Sequence, residues 1–178
     1  MDFGWYGDLD IEAGTDYLSG RADIDADRVG VLGLSMGGEE AIGAAAANPA
    51  LSAVVAEGAT GRTAADKTWL SNVYGWRGTV QEQVERIQFG VTDLLTTASP
   101  PRSLPDAVKR AEGVPFLLIT AGTVTDEQHA ADALRTAAPD RVAIWNVEEA
   151  THTGGLDTDP AEWERRVIGF LDQHLREP

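Results

Sequence analysis

A short apolar run, a serine between glycines and an alanine-rich stretch follow one another without a spacer. They read Arg28-Val29-Gly30-Val31-Leu32-Gly33-Leu34, then Ser35-Met36-Gly37-Gly38, then Glu39-Glu40-Ala41-Ile42-Gly43-Ala44-Ala45-Ala46-Ala47. The run has strand length and is apolar on both faces, as in a parallel sheet, and the alanines favour helix until Asn48 meets Pro49. A strand that passes straight into a helix needs a very sharp connection. Gly33, Ser35 and Gly37 stand in the G-x-S-x-G spacing of such a turn, and a Cβ at either glycine is expected to collide with the neighbouring strand or helix. The turn lifts the Ser35 hydroxyl above the sheet edge as a nucleophile. The N–H of Met36, at the start of the helix, points toward a developing oxyanion and adds the positive end of the helix dipole.

The same alternation runs through the rest of the chain. Asp8 to Leu18 has a helical stripe; Leu51–Ala56, Phe116–Thr120 and Arg141–Val147 read as three further strands; Glu127–Ala138 reads as a helix between the last two. A final helix starts from Asp159 as N-cap and Pro160 at its first position, with Trp163, Val167, Phe170, Leu171 and His174 on its apolar side. This order predicts one α/β domain over residues 1–178, a mainly parallel sheet flanked by helices. Gly58–Gly113 interrupts it as a helical insert, with helix over Val80–Leu95 and a Ser99-Pro100-Pro101 turn. Its Trp69, Tyr74, Trp76 and Phe89 suit a satellite packing layer or a lid over a pocket.

A serine hydroxyl needs a base, and the base needs a group to orient it. Of the three histidines, His152 lies in a loop five residues past the fourth strand, at the carboxyl end of the sheet where ligands bind. His129 and His174 fall on helices, where packing or surface roles are expected. Past the third strand come Asp126 and Glu127, adjacent to each other. Asp126 is the first choice for the orienting acid, Glu127 the second, and Glu57, just past the second strand, a distant third.

Composition narrows the partners. With 14 Lys plus Arg against 29 Asp plus Glu the formal charge is −15, which repels nucleic acid and anionic lipid. There is no cysteine, so neither a disulfide framework nor a thiolate site can form, and the dispersed histidines offer no zinc cluster. No cofactor is expected. The first ten residues have neither a basic nor an apolar region of a signal peptide, so a soluble, cytoplasmic chain is the expectation.

The order Ser35, acid, His152 is that of the α/β-hydrolase superfamily. DADRVGVLGLSMGGEEAIGAAAANPALSAVVAEG resembles the elbow region of its dienelactone-hydrolase-like and X-Pro dipeptidyl-peptidase-like members. AxHTGGL followed by PxEWxxRVxxFLDxxL resembles their histidine loop and last helix. The resemblance implies a serine hydrolase of carboxylic esters on small molecules, with an aminopeptidase-like amide hydrolase as the alternative. It also implies that the four strands correspond to the last four of an eight-stranded sheet. Nothing matches the first four, or the loop that normally supplies a second oxyanion N–H. The first strand is then expected to be an open sheet edge suited to self-association, and a truncated, non-catalytic domain for ligand binding or chain pairing is a further alternative.

Overall fold

The computed structural model describes residues 4–176. After α1 (Gly7–Ser19) the chain alternates β1 (Val29–Leu34), α2 (Met36–Ala44) and β2 (Leu51–Glu57). The insert follows with a 3-10 turn at Ala64–Lys67, then α3 (Leu70–Tyr74), α4 (Trp76–Leu95) and α5 (Leu104–Arg110). The chain closes with β3 (Phe116–Ala121), α6 (Thr125–Ala137), β4 (Val142–Val147), α7 (Gly155–Thr158) and α8 (Pro160–Leu175). The four strands form one parallel sheet in the order β1-β2-β3-β4, so the α/β architecture read from the sequence holds.

Alternation along the central strands divides the core into two faces. Val54, Ala56, Phe116 and Leu118 pack with Ile42 of α2, Leu104 and Val108 of α5 and Leu134 of α6. Val55, Leu117 and Ile119 point the other way and pack with Val167 of α8, backed by Trp163, Phe170 and Leu171. Helices thus cover both faces, as a parallel sheet requires. Gly30 brings α8 close to β1: a Cβ there would lie 2.9 Å from a Leu175 methyl. β1 forms one edge of the sheet among the described residues, and Leu32 and Leu34 on it are exposed.

Element boundaries moved where tertiary demands outweigh propensity. Helix was expected from Glu127, and α6 instead begins at Thr125, whereas α2 begins at Met36, directly after Ser35, as expected despite Gly37 and Gly38. At the last helix the Asp159 side chain caps the Glu162 N–H at 3.2 Å, with Pro160 next, as read. The insert has two characters. Its α5 is core, with Leu104, Ala107 and Val108 buried; each of the two larger side chains contributes about 1.5–3 kcal/mol. Buried Asp66 ties α5 to the start of the insert, accepting N–H bonds from Arg62 (3.1 Å), Thr63 (2.8 Å) and Leu104 (2.5 Å). Burial pushes its carboxyl above the usual range, against the pull of those donors. The long helix α4, by contrast, turns inward only Gly78, Glu82, Phe89 and Thr92 as buried residues. No helix among the described residues is long and apolar enough to cross a membrane.

Candidate active site

Ser35 sits where β1 becomes α2, with φ 52° and ψ −122°, a conformation that costs a side-chain-bearing residue about 1–3 kcal/mol. Backbone bonds hold it there. Its N–H donates to Glu57 O on β2 at 2.7 Å, and its carbonyl accepts from Gly38 N (3.0 Å) and Glu39 N (3.2 Å). Met36 is the first helical residue, so its N–H precedes the intrahelical bonds and is available to an anion beside Ser35.

Of the two flanking glycines, one behaves as expected and the other does not. A Cβ on Gly33 would lie 2.2 Å from Gly37 O and 2.6 Å from Gly38 N. A Cβ on Gly37 would meet nothing within 4 Å. The second close approach belongs to Gly38, whose Cβ would fall 3.0 Å from Gly33 O and 3.2 Å from the Ala56 methyl. The expected collision at Gly37 is therefore corrected: its main chain, not its missing side chain, crowds the turn. Gly33→Ala is expected to cost at least about 3 kcal/mol of stability. Gly37→Ala is expected to be neutral or to add about 0.5–1 kcal/mol through helix propensity. Urea denaturation midpoints of the two variants check this.

His152 is delivered by the loop after β4. There Ala150 O accepts from the Thr123 hydroxyl at 2.7 Å, and Thr153 adopts φ 56°. Gly58, with φ +73°, lies under the imidazole; a Cβ on it would come within 2.9 Å of His152 Cε1. The Ser35 hydroxyl donates to His152 Nε2 at 2.8 Å, and His152 Nδ1–H donates to Glu127 Oε1 at 2.7 Å. The tautomer follows from the partners, since an ionised carboxylate can only accept and so calls for the proton on Nδ1. Glu127 is fully buried, and its other oxygen accepts the Ala121 N–H at 2.8 Å. The imidazole edge stays open: the His152 side chain is 48% exposed and Met36 is 50% exposed.

Of the two neighbouring acids, it is the second choice, Glu127, that the structure brings to His152, and not Asp126. Asp126 accepts from the Tyr74 hydroxyl at 2.6 Å and so fastens the insert to α6; this bond is the main cause that pushes the Tyr74 phenol above its ordinary range. The cause is helical geometry. Glu127 shares the inward side of α6 with Ala130, Ala131 and Leu134, at i+3, i+4 and i+7, whereas Asp126 is rotated by about 100°. His129 packs against Trp69 with ring centroids 5.3 Å apart, and His174 against Phe170 at 4.7 Å.

Two buried acids support the site in ways sequence reasoning missed. Glu57, considered only as an orienting acid, does not meet His152. Its Oε1 accepts the Gly155 N–H at 2.7 Å and its Oε2 the Trp163 indole N–H at 2.8 Å, which pins the histidine loop and α8 to the end of β2. Glu39 Oε1 accepts from Thr60 N (2.9 Å) and Gly61 N (2.8 Å), tying α2 to the loop after β2. The available signal was positional: Glu57 ends an otherwise apolar strand, and Trp163 falls on the apolar side of the last helix.

Residues 8–178 match the sequence model of the prolyl oligopeptidase family. No curated protein sequence matches the chain. Among solved structures, the fold is similar to an esterase of Pyrococcus furiosus, with TM-score 0.66 and 19% identity over 99% of this chain and 65% of that one. An acylaminoacyl peptidase of Pyrococcus horikoshii aligns with TM-score 0.65 and 16% identity over 96% of this chain and 28% of that one. An α/β hydrolase of Penicillium aligns with TM-score 0.61 and 12% identity over 94% and 71%. The chain thus spans about two thirds of the length of the esterase.

Proposed function

From the premise that this chain belongs to the prolyl oligopeptidase family, a family of hydrolases, we propose that it is a serine hydrolase cleaving carboxylic esters of small molecules. The single observation that carries this reading is the unbroken hydrogen-bond chain from Ser35 Oγ through His152 to buried Glu127. In this mechanism Ser35 Oγ attacks the ester carbonyl carbon while His152 Nε2 takes the hydroxyl proton. Glu127 stabilises the imidazolium and holds its orientation. The tetrahedral oxyanion is met by the Met36 N–H at the positive end of α2. The bond to the alkoxy oxygen then breaks, His152 gives its proton to the departing alcohol, and the acyl group remains on Ser35. Water, deprotonated by the same nitrogen, attacks the acyl-enzyme, releases the carboxylic acid and restores the serine.

An amide reading has support of its own in the family's name and in the likeness to an acylaminoacyl peptidase, and the same groups would protonate an amine leaving group. Two measurements separate the possibilities. A fluorophosphonate probe is expected to label Ser35, and turnover of p-nitrophenyl acetate is expected to exceed that of aminoacyl-anilides. Preference for the anilides would transfer the reading to an amide hydrolase. No labelling of folded protein would leave a non-catalytic domain that binds ligands or pairs with another chain.

A further inference from the structure

Helix α4 is amphipathic in the wrong sense for a helix that belongs only to this chain. Its inward side carries Gly78, Glu82, Phe89 and Thr92. That side is already engaged: Glu82 Oε1 accepts the Ser71 N–H at 2.8 Å, Phe89 stacks on Trp5, and Gly78 lies against the Leu70 carbonyl. Opposite it, Val80, Val84, Ile87, Val91 and Leu94 stand between 48% and 84% exposed, extended at the helix start by Trp76 at 73%. Steps of four, three, four and three residues form a straight seam of the kind two helices share. The helix has 20 residues, about 30 Å of length.

We propose that this stripe is an interface between two copies of the chain, α4 against α4 about a two-fold axis. The charge distribution along α4 leaves room for a second copy at this stripe. The molecule carries −15, so two copies repel except where their facing surfaces are uncharged. Beside the seam between Val80 and Leu94 stand Gln81, Gln83, Gln88 and Gly90, none of them charged. A helix that lies on a membrane would flank its apolar stripe with Lys and Arg, which are absent at these positions. Area agrees. A stable interface needs about 800 Å² per partner, and six large, mostly exposed apolar side chains supply area of that order. The surface is self-complementary, as an isologous dimer requires.

Ile87 is the midpoint of the seam, so pairing in either direction brings the two copies of it within about one helical turn, ~5 Å. The chain has no cysteine, so Ile87→Cys introduces a single thiol. Light scattering of the full chain at micromolar concentration is expected to give twice the mass of the chain. Ile87→Glu is expected to give the single mass with unchanged circular dichroism, and Ile87→Cys to cross-link with a short bis-maleimide, whereas Thr79→Cys does not. A monomeric wild type overturns the proposal, whether or not it floats with phosphatidylcholine vesicles. So does a dimer that survives Ile87→Glu, which would point to the edge of β1 instead.

Discussion

Replacing Ser35 with alanine is expected to lower ester turnover by about 10⁶-fold while the protein stays folded. Under the proposed mechanism the loss is large because the hydroxyl has no substitute: among the described residues, Ser35 is the nucleophile hydrogen-bonded to His152 Nε2. The strained backbone remains after the change, since alanine must adopt the same positive φ, so the stability difference stays within about 1 kcal/mol. Steady-state kinetics, with circular dichroism as the folding control, measures both parts. The double variant with His152→Ala provides a stricter check. Serine and base act as one unit, so the second change is expected to add almost nothing to the first. Independent, multiplying losses would separate the two residues and remove the acyl-enzyme mechanism.

Glu127→Gln is expected to reduce turnover by about 10⁴-fold, and Asp126→Asn to leave it within a few-fold of wild type. The amide preserves size and can still accept the Ala121 N–H, so the fold of β3 and α6 is kept. What changes is the group facing His152. Once the glutamine oxygen serves Ala121, its NH₂ faces Nδ1 and calls for an acceptor there, moving the imidazole proton to Nε2. That nitrogen can then no longer take the proton of Ser35. Asp126 meets only Tyr74 among the described side chains, so its amide disturbs the attachment of the insert and not the base. A large loss in Asp126→Asn with a small one in Glu127→Gln would return the orienting role to Asp126. Paired kcat values on one ester decide between them.

Much of the architecture was legible because it rests on local patterns. The apolar run before Ser35, the Asp159-Pro160 helix start and the alternation of strands and helices are short-range signals, and a mainly parallel sheet follows from them. The choice between Asp126 and Glu127 was legible too, in the spacing from Glu127 to Ala130, Ala131 and Leu134, but a choice between neighbouring acids depends on knowing where the helix starts. Thr125 begins that helix two residues ahead of the expected position. Other features lie beyond any window of sequence. That Glu57 reaches Gly155 and Trp163, about a hundred positions away, is a product of chain closure. That Gly37 faces open space while Gly33 cannot accept a Cβ depends on how α2 tilts over β1.

Glu57 holds the surroundings of both Ser35 and His152. Its carbonyl holds the Ser35 N–H, and its carboxylate holds the loop and helix that follow His152. The spacing between Ser35 and His152 is thereby gauged by the last residue of one strand, not by two independently moving loops. Local opening at the periphery leaves this gauge untouched, because β2 is held between β1 and β3 in the middle of the sheet. Under the proposed mechanism, ester turnover is then expected to survive early loosening of the periphery and to disappear in a single step, when the sheet itself melts.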